Sequence, residues 1–275
     1  MKHLLLPAAF LLAAFGIPAA ADEARPGRIT IEYIAPKNPE HQQLFEMLKA
    51  RGALEQLQEI FSPFKLPIDV SLITVGCDGV SNAWYRRPTM TICYEYIADI
   101  RKTIPTETTS TGITPADAML GQFFYVVAHE MGHGMFDLLD TPIFGRTEDA
   151  ADGFAAYMML QLGKDQARRL ITGAAYSYRD YIKNPTVTVP TTAFSSTHGA
   201  PMQRFYNLLC IGYGSNPQAY EDLVKAGYLP EKRAENCRFE YGELNFAFQQ
   251  LIVPYLDKDM TKKVLAQTWL PPLEK

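Results

Sequence analysis

The chain has 275 residues, 47% of them hydrophobic and 20% charged, with a formal net charge of −4. That length and apolar content suit one large core or two lobes sharing one, and they exclude a disordered chain. The charge is mild and spread out, with no block of like sign, so nucleic-acid binding has no electrostatic footprint.

Lys2 precedes an apolar run from Leu4 to Ile17, and Ala19-Ala20-Ala21 offers small residues for cleavage before Asp22. The run is shorter than the roughly 20 residues of a membrane helix. Charge, apolar run and small residues in that order read as a secretory signal. Residues 1–21 are therefore expected to be a signal peptide, with an uncleaved anchor as the rival. No Cys follows the cleavage point, which argues against lipid attachment there. Residues 22–275 are expected to form a single domain, secreted or periplasmic, with no stable membrane span after cleavage. Within it an α/β part covers about 28–140 and a helical part about 145–270.

Arg28 to Ala35 alternates polar and apolar residues and reads as a strand, stopped by Pro36 and Pro39. Leu44, Leu48, Leu54, Leu57 and Phe61 then recur at helical spacing, predicting one helix over about Glu40–Phe61. Ile68 to Val75 reads as a second strand. Asn82–Arg86 and Thr89–Tyr94 read as a hairpin with its corner at Arg87-Pro88, and Glu95–Lys102 as a short helix. Thr103–Thr114 is a Thr-rich loop. Thr114-Pro115-Ala116-Asp117 is a strong helix start, with a capping hydroxyl, a Pro at the first position and an acid in the first turn. That helix runs to about Leu139, where Asp140-Thr141-Pro142 breaks it. Helices over about Thr147–Leu162 and Lys164–Ile182 follow, then a Thr- and Pro-rich connection over Asn184–Ser196. Met202–Ile211 reads as a helix, Gly212–Pro217 as a turn, and Gln218–Ala226 and Glu240–Leu256 as further helices before a shorter one. No repeat is present, and strands precede helices: an α+β arrangement.

The four cysteines, Cys77, Cys93, Cys210 and Cys237, include no Cys-x-x-Cys pair, so neither a zinc ribbon nor a thioredoxin motif is indicated. In an exported chain they suggest two disulfides. Cys77–Cys93, stapling the hairpin, and Cys210–Cys237 are favoured, because each closes a short local loop.

The central helix contains His129-Glu130-Met131-Gly132-His133. Residues four apart on a helix lie only about 40° from eclipsed, so both imidazoles can reach one ion. Glu130, turned by about 100°, can meet a water on that ion without ligating it. A catalytic zinc needs a third protein ligand, and the next helix opens Glu148-Asp149-Ala150-Ala151-Asp152. Glu148 and Asp152 share a face: the first can reach the ion and the second can accept the other N–H of a ligand histidine. Ala151 and Ala155 are small enough for the two helices to approach. Asp149 adjoins Glu148 and is the alternative ligand, but it shares its face with Gly153 and Leu160. His41, at a helix start, reads as a surface residue.

These motifs resemble the gluzincin metallopeptidases, and Glu148-x-x-Ala151-Asp152-x-x-Ala155 resembles in particular the prenyl-protein and heat-shock membrane proteases of that clan. Unlike those, this chain has no run suited to multiple membrane spans. From Ile29 to about Leu256 it is also similar to a family of uncharacterised exported proteins described as metallopeptidases. The carrying features there are the zinc motif, His198 followed by Gln203-Arg204-Phe205-Tyr206, Cys210, and Cys237 with Glu240-Tyr241. The resemblance implies a zincin-like α+β fold, with a small mixed sheet, an edge hairpin and a central HExxH helix ahead of a mostly helical part. It implies a zinc metalloendopeptidase-like hydrolase acting on peptides or proteins, with His129, His133 and Glu148 as ligands, Glu130 as general base, and Asp152 supporting a ligand. Asn82-Ala83-Trp84-Tyr85 looks like the strand against which such enzymes lay substrate, so Asn82, Ala83 and Trp84 are candidate binding residues; a plain aromatic hairpin is the alternative. A further donor for the tetrahedral oxyanion is needed. His198, in a polar loop, is the candidate, with Arg204 and Tyr206 as competitors. Another zinc-dependent amide hydrolase, or an inactive exported metal-binding protein, are the other readings of the same motif.

Overall fold

The computed structural model describes residues 27–179 and 191–272. The expected signal peptide, the end of the helix expected to reach Ile182 and most of the Thr- and Pro-rich connection lie outside these residues. Among the described residues, no helix is long and apolar enough to cross a membrane. The architecture is α+β, with a small four-stranded mixed sheet followed by helices.

The sheet runs β1 (Ile29–Tyr33), β2 (Val70–Val75), β4 (Thr89–Cys93), β3 (Ala83–Arg86) across its width. β1, β2 and β4 are parallel, while β3 pairs antiparallel with β4 and forms an edge that no further strand covers among the described residues. Between β1 and β2 the chain makes not one helix but two, α1 (Gln42–Ala50) and α2 (Ala53–Phe61). Gly52 lies between them at φ 58°, a left-handed conformation that ends the first helix and is least costly for glycine. His41, expected at the surface, is 8% exposed with its ring centroid 6.2 Å from that of Tyr94.

α3 (Tyr94–Thr103) leads to α4 (Pro115–Leu138), the central helix. Thr114 caps α4, its Oγ1 accepting from the Asp117 N–H at 3.0 Å. The Asp117 carboxylate itself is taken by Arg169, whose Nε donates to Oδ1 at 2.7 Å. α4 is buried on nearly all sides, from Phe123 and Phe124 to Met131 and Met135, as expected of a helix with no clear polar face. Each such side chain withdrawn from water contributes about 1.5–3 kcal/mol to burial. One apolar cluster runs from Leu54, Leu72 and Ile92 of the first half through Met131 to Phe205 and Phe248 of the second.

α5 (Thr147–Gln161) and α6 (Lys164–Ala175) pack on α4. α6 tightens into a 3-10 turn at Tyr176–Tyr178, earlier than expected. α7 (Pro201–Ser215) continues straight through the Gly212-Tyr213-Gly214 segment expected to turn. The glycines serve packing instead: a Cβ on Gly212 would come 3.0 Å from the Tyr220 ring, and one on Gly214 would overlap the Cys237 carbonyl. α8 (Pro217–Lys225), the short α9 (Glu231–Ala234), α10 (Cys237–Leu251) and α11 (Lys258–Leu265) complete the described fold. Both expected disulfides are present, Cys77–Cys93 with Cα atoms 5.5 Å apart and Cys210–Cys237 at 4.9 Å.

Candidate metal centre

α4 carries His129 and Glu130 buried, with His129 only 3% exposed, and His133 half-buried one turn on. The helix breaks at Asp140, which takes φ 48°, and the loop to Arg146 returns the chain so that α5 starts beside it. The contact is close. A Cβ on Gly132 would lie 3.3 Å from the Ala151 Cα, so the small residues on both helices set the separation.

This packing brings His129, His133 and Glu148 together, with one ligand atom from each lying within 4.8 Å of the others. His129 Nε2 is 3.0 Å from Glu148 Oε2, His133 Nε2 is 3.3 Å from the same oxygen, and the two Nε2 atoms are 3.2 Å apart. Two imidazole nitrogens and one carboxylate oxygen converge on one point, which is the donor set of a three-ligand metal site. Asp149 is directed elsewhere, paired with Arg146 at 2.6 Å.

The surroundings fix how each donor points. His129 Nδ1 lies 2.8 Å from Asp152 Oδ1, so its N–H donates there and Nε2 is left facing the point of convergence. Asp152 is held in turn by Arg204, whose Nε and Nη2 donate to Oδ2 and Oδ1 at 2.8 and 2.7 Å. Arg204 thus grips both oxygens of a buried carboxylate, and its guanidinium sits 5.8 Å from the centre of the Tyr125 ring. Burial opposes ionisation of Asp152, but the bonds from His129 and Arg204 outweigh it and hold the carboxyl well below the usual range. Burial likewise works against a charged His129, yet Asp152 and Glu148 overcome it and lift the imidazole to about 9. The hydrogen bond with His129 takes Glu148 down to about 2 against the effect of burial. These contacts favour charge on His129 and Glu148, whereas burial and the neighbouring His129 lower the pKa of His133.

Glu130 is placed differently. Its Oε2 accepts the backbone N–H of Tyr85 at 2.9 Å, leaving Oε1 with no hydrogen-bond partner among the described residues. Burial raises its pKa, with His129 and the Tyr85 N–H pulling partly the other way. The bond also ties edge strand β3 to α4. The Tyr85 hydroxyl donates to Asp137 Oδ2 at 2.8 Å, and the Arg87 Nε donates to the same oxygen at 2.7 Å. Cys93 N–H bonds to the Asn82 carbonyl. Alternation along an antiparallel strand then turns the backbone groups of Ala83 and Tyr85 away from β4, towards the open edge. Trp84 lies between them with the Arg86 guanidinium 6.0 Å from its ring centre.

His198 comes to the metal group from the loop before α7. Its Nε2 is 2.9 Å from Glu148 Oε2 and its ring stacks on that of His129 with centroids 5.7 Å apart. The imidazole is 43% exposed, and burial lowers its pKa. Tyr206 packs on Phe205 with ring centroids 5.3 Å apart. From the sequence Asp137 was not singled out, and Tyr85 and Arg87, named in the hairpin, were given no role in the site. Asp137 had a signal, since it lies seven residues beyond Glu130 and so on the same face of α4; the backbone donor of Tyr85 had none.

No curated protein and no solved structure matches the chain. The sequence pattern of one family, described as "Putative metallopeptidase", matches residues 33–252, which takes in β2, β3 and β4, the three converging groups, His198 and both disulfides, and the chain belongs to that family.

Proposed function

We propose that this protein is a zinc-dependent peptidase of gluzincin type, exported from the cytoplasm after removal of residues 1–21. The observation that carries the reading is the junction of three parts: two histidines and a carboxylate that converge, a buried Glu130 beside them, and an open strand edge bonded to that same Glu130. His129, His133 and Glu148 would hold the zinc. A zinc so held would lower the pKa of a bound water and polarise the substrate carbonyl.

The chain's own groups supply the rest. Glu130 Oε1 takes the proton of the attacking water and later passes it to the leaving nitrogen. Tyr85 N–H fixes the other oxygen, so the base cannot rotate away. An extended peptide adds to the open edge of β3 through the N–H and C=O of Ala83 and the C=O of Tyr85, beside Asn82 and Trp84; that mode reads backbone largely without regard to sequence. His198 Nε2, next to the ligand carboxylate, donates to the oxyanion as it forms. Arg204 acts through Asp152 and not on substrate, since both its bonds to that carboxylate are made within the fold. Two disulfides support an oxidising compartment.

The test is to purify residues 22–275, count zinc, and compare cleavage of a peptide library by the wild type and Glu130→Gln. One zinc in each, with cleavage lost only in the variant, is expected. If the wild type binds zinc but cleaves nothing, the reading as a peptidase fails and that of an inactive metal-binding protein stands. Cleavage of small amides but not of peptides would instead favour another amide hydrolase.

A further inference from the structure

An apolar cavity of about 600 Å³ opens between α2, the second half of α5, α10 and α11. Its walls include Phe64, Leu162, Phe248, Leu256 and Val264, and no residue of the metal centre or of β3 lines it. Ile60 and Leu162 also wall a second apolar cavity, of about 390 Å³, that extends beneath Trp269 and Leu270. The two spaces are neighbours across a single pair of side chains. Together they fall within the volume range of small-molecule sites.

The interior has little to offer a polar ligand. Tyr157 receives the Gln249 amide on its hydroxyl and the Gln161 amide on its carbonyl, and the Thr261 hydroxyl donates to the Asp257 carbonyl. A peptide laid here would bring many backbone N–H and C=O groups into a mostly apolar space, and burying them unbonded is costly. A hydrocarbon chain carries no such groups. The rim is different in kind. Lys258 and Lys262, one turn apart on α11, border the opening, and neither ammonium has an ion-pair or hydrogen-bond partner among the described residues. Leu265, from the next turn, stays 42% exposed beside them. Apolar depth with unpaired cations at the mouth is complementary to a molecule with an apolar tail and an anionic head.

We propose that this cavity binds an anionic amphiphile, with an unbranched acyl chain between α5 and α11 and a carboxylate or phosphate head between Lys258 and Lys262. The site is separate from the metal centre: Met158, on its wall, is about 15 Å along α5 from Glu148 at the usual helical rise.

The test uses the mature chain with its zinc content measured. Palmitate, dodecyl phosphate and the uncharged hexadecanol are titrated by displacement of a fluorescent fatty acid. Saturable binding of palmitate or dodecyl phosphate is expected, the two arms telling a carboxylate head from a phosphate one. Lys258→Glu with Lys262→Glu, both exposed positions, should weaken the anionic ligands about tenfold or more and leave hexadecanol unchanged. Val253→Trp, which fills the cavity, should weaken all three. If neither anion binds saturably, the proposal is overturned. It is also overturned if the charge reversal leaves affinity for both anions unchanged, or if an acidic apolar peptide binds here in their place. Should Val253→Trp fail to fold, the charge-reversed pair, with zinc content as its check on folding, still decides.

Discussion

Asp152 is shared between His129 and Arg204, and that sharing makes it the most telling single residue outside the ligand set. Its carboxylate must be ionised to orient His129, and it remains so because Arg204 grips both oxygens. Asp152→Asn should keep the fold but weaken zinc binding by about 10- to 100-fold, the usual effect of removing a carboxylate behind a ligand histidine. Arg204→Lys keeps the charge but loses the two-pronged grip, and a smaller loss in the same direction is expected. Competition with a chelator of known affinity measures both; an unchanged zinc affinity in Asp152→Asn would remove Asp152 from the site. These residues were legible in the sequence because a four-residue spacing on a helix has one geometric meaning, so His129 with His133 and Glu148 with Asp152 place themselves. His198 and Arg204 could be named but not assigned partners, since their loop and α7 meet α5 only in tertiary structure. The Tyr85 N–H was invisible, because a backbone donor has no identity in a sequence.

At the scale of elements, most boundaries followed from Pro, Gly and capping residues, and two of the misreadings share one cause. Glycine has two uses, turning the chain and letting segments touch, and the sequence does not say which. Gly52 turns the chain and splits α1 from α2, where an unbroken apolar spacing suggested one helix. Gly212 and Gly214 were expected to turn but instead let α7 lie against Tyr220 and the start of α10. Gly214→Ala should therefore destabilise by about 1–3 kcal/mol through overpacking, although alanine is the better helix former. Urea unfolding of the oxidised protein measures it, and a stabilised variant would contradict the packing role. A second element depends on charge. Glu95 opens α3 and accepts the backbone N–H groups of Cys77 and Gly79, at 2.9 and 3.1 Å. Burial raises its pKa, but these backbone bonds prevail and the carboxyl titrates below its ordinary range. With the folded value depressed, the stabilisation is full above the ordinary carboxylate pKa and is lost as pH falls through the lower one. Glu95→Ala should cost about 1–2 kcal/mol at neutral pH, and the gap to wild type should narrow as pH falls below the ordinary carboxylate range. A gap independent of pH would show that packing, not charge, anchors the Cys77 loop.

The whole molecule joins a sheet-bearing first half to a helical second half through α4, whose buried faces meet both. Because one apolar cluster continues across that junction, the halves should unfold together, as expected when the buried surface is common to both. The chain contains only two tryptophans, and they fall on opposite sides. Trp84 is in edge strand β3 beside Glu130, while Trp269 bonds through its indole N–H to the Val264 carbonyl at the end of α11. Trp84→Phe and Trp269→Phe each leave one fluorescent reporter, both at partly buried positions where a smaller ring is tolerated. In urea the two variants should give transitions with the same midpoint and slope, and far-UV circular dichroism should follow the same curve. An earlier transition for the Trp269 reporter would mean that α11 and the segment after it detach before the core. An earlier one for Trp84 would mean that the open strand edge melts while α4 and α5 persist. Adding zinc should then shift the midpoint of both reporters together, by RT ln(1 + [Zn]/Kd) in stability. A ligand that bridges α4 and α5 stabilises everything that unfolds with them, so a shift confined to one reporter would divide the molecule into two independent units.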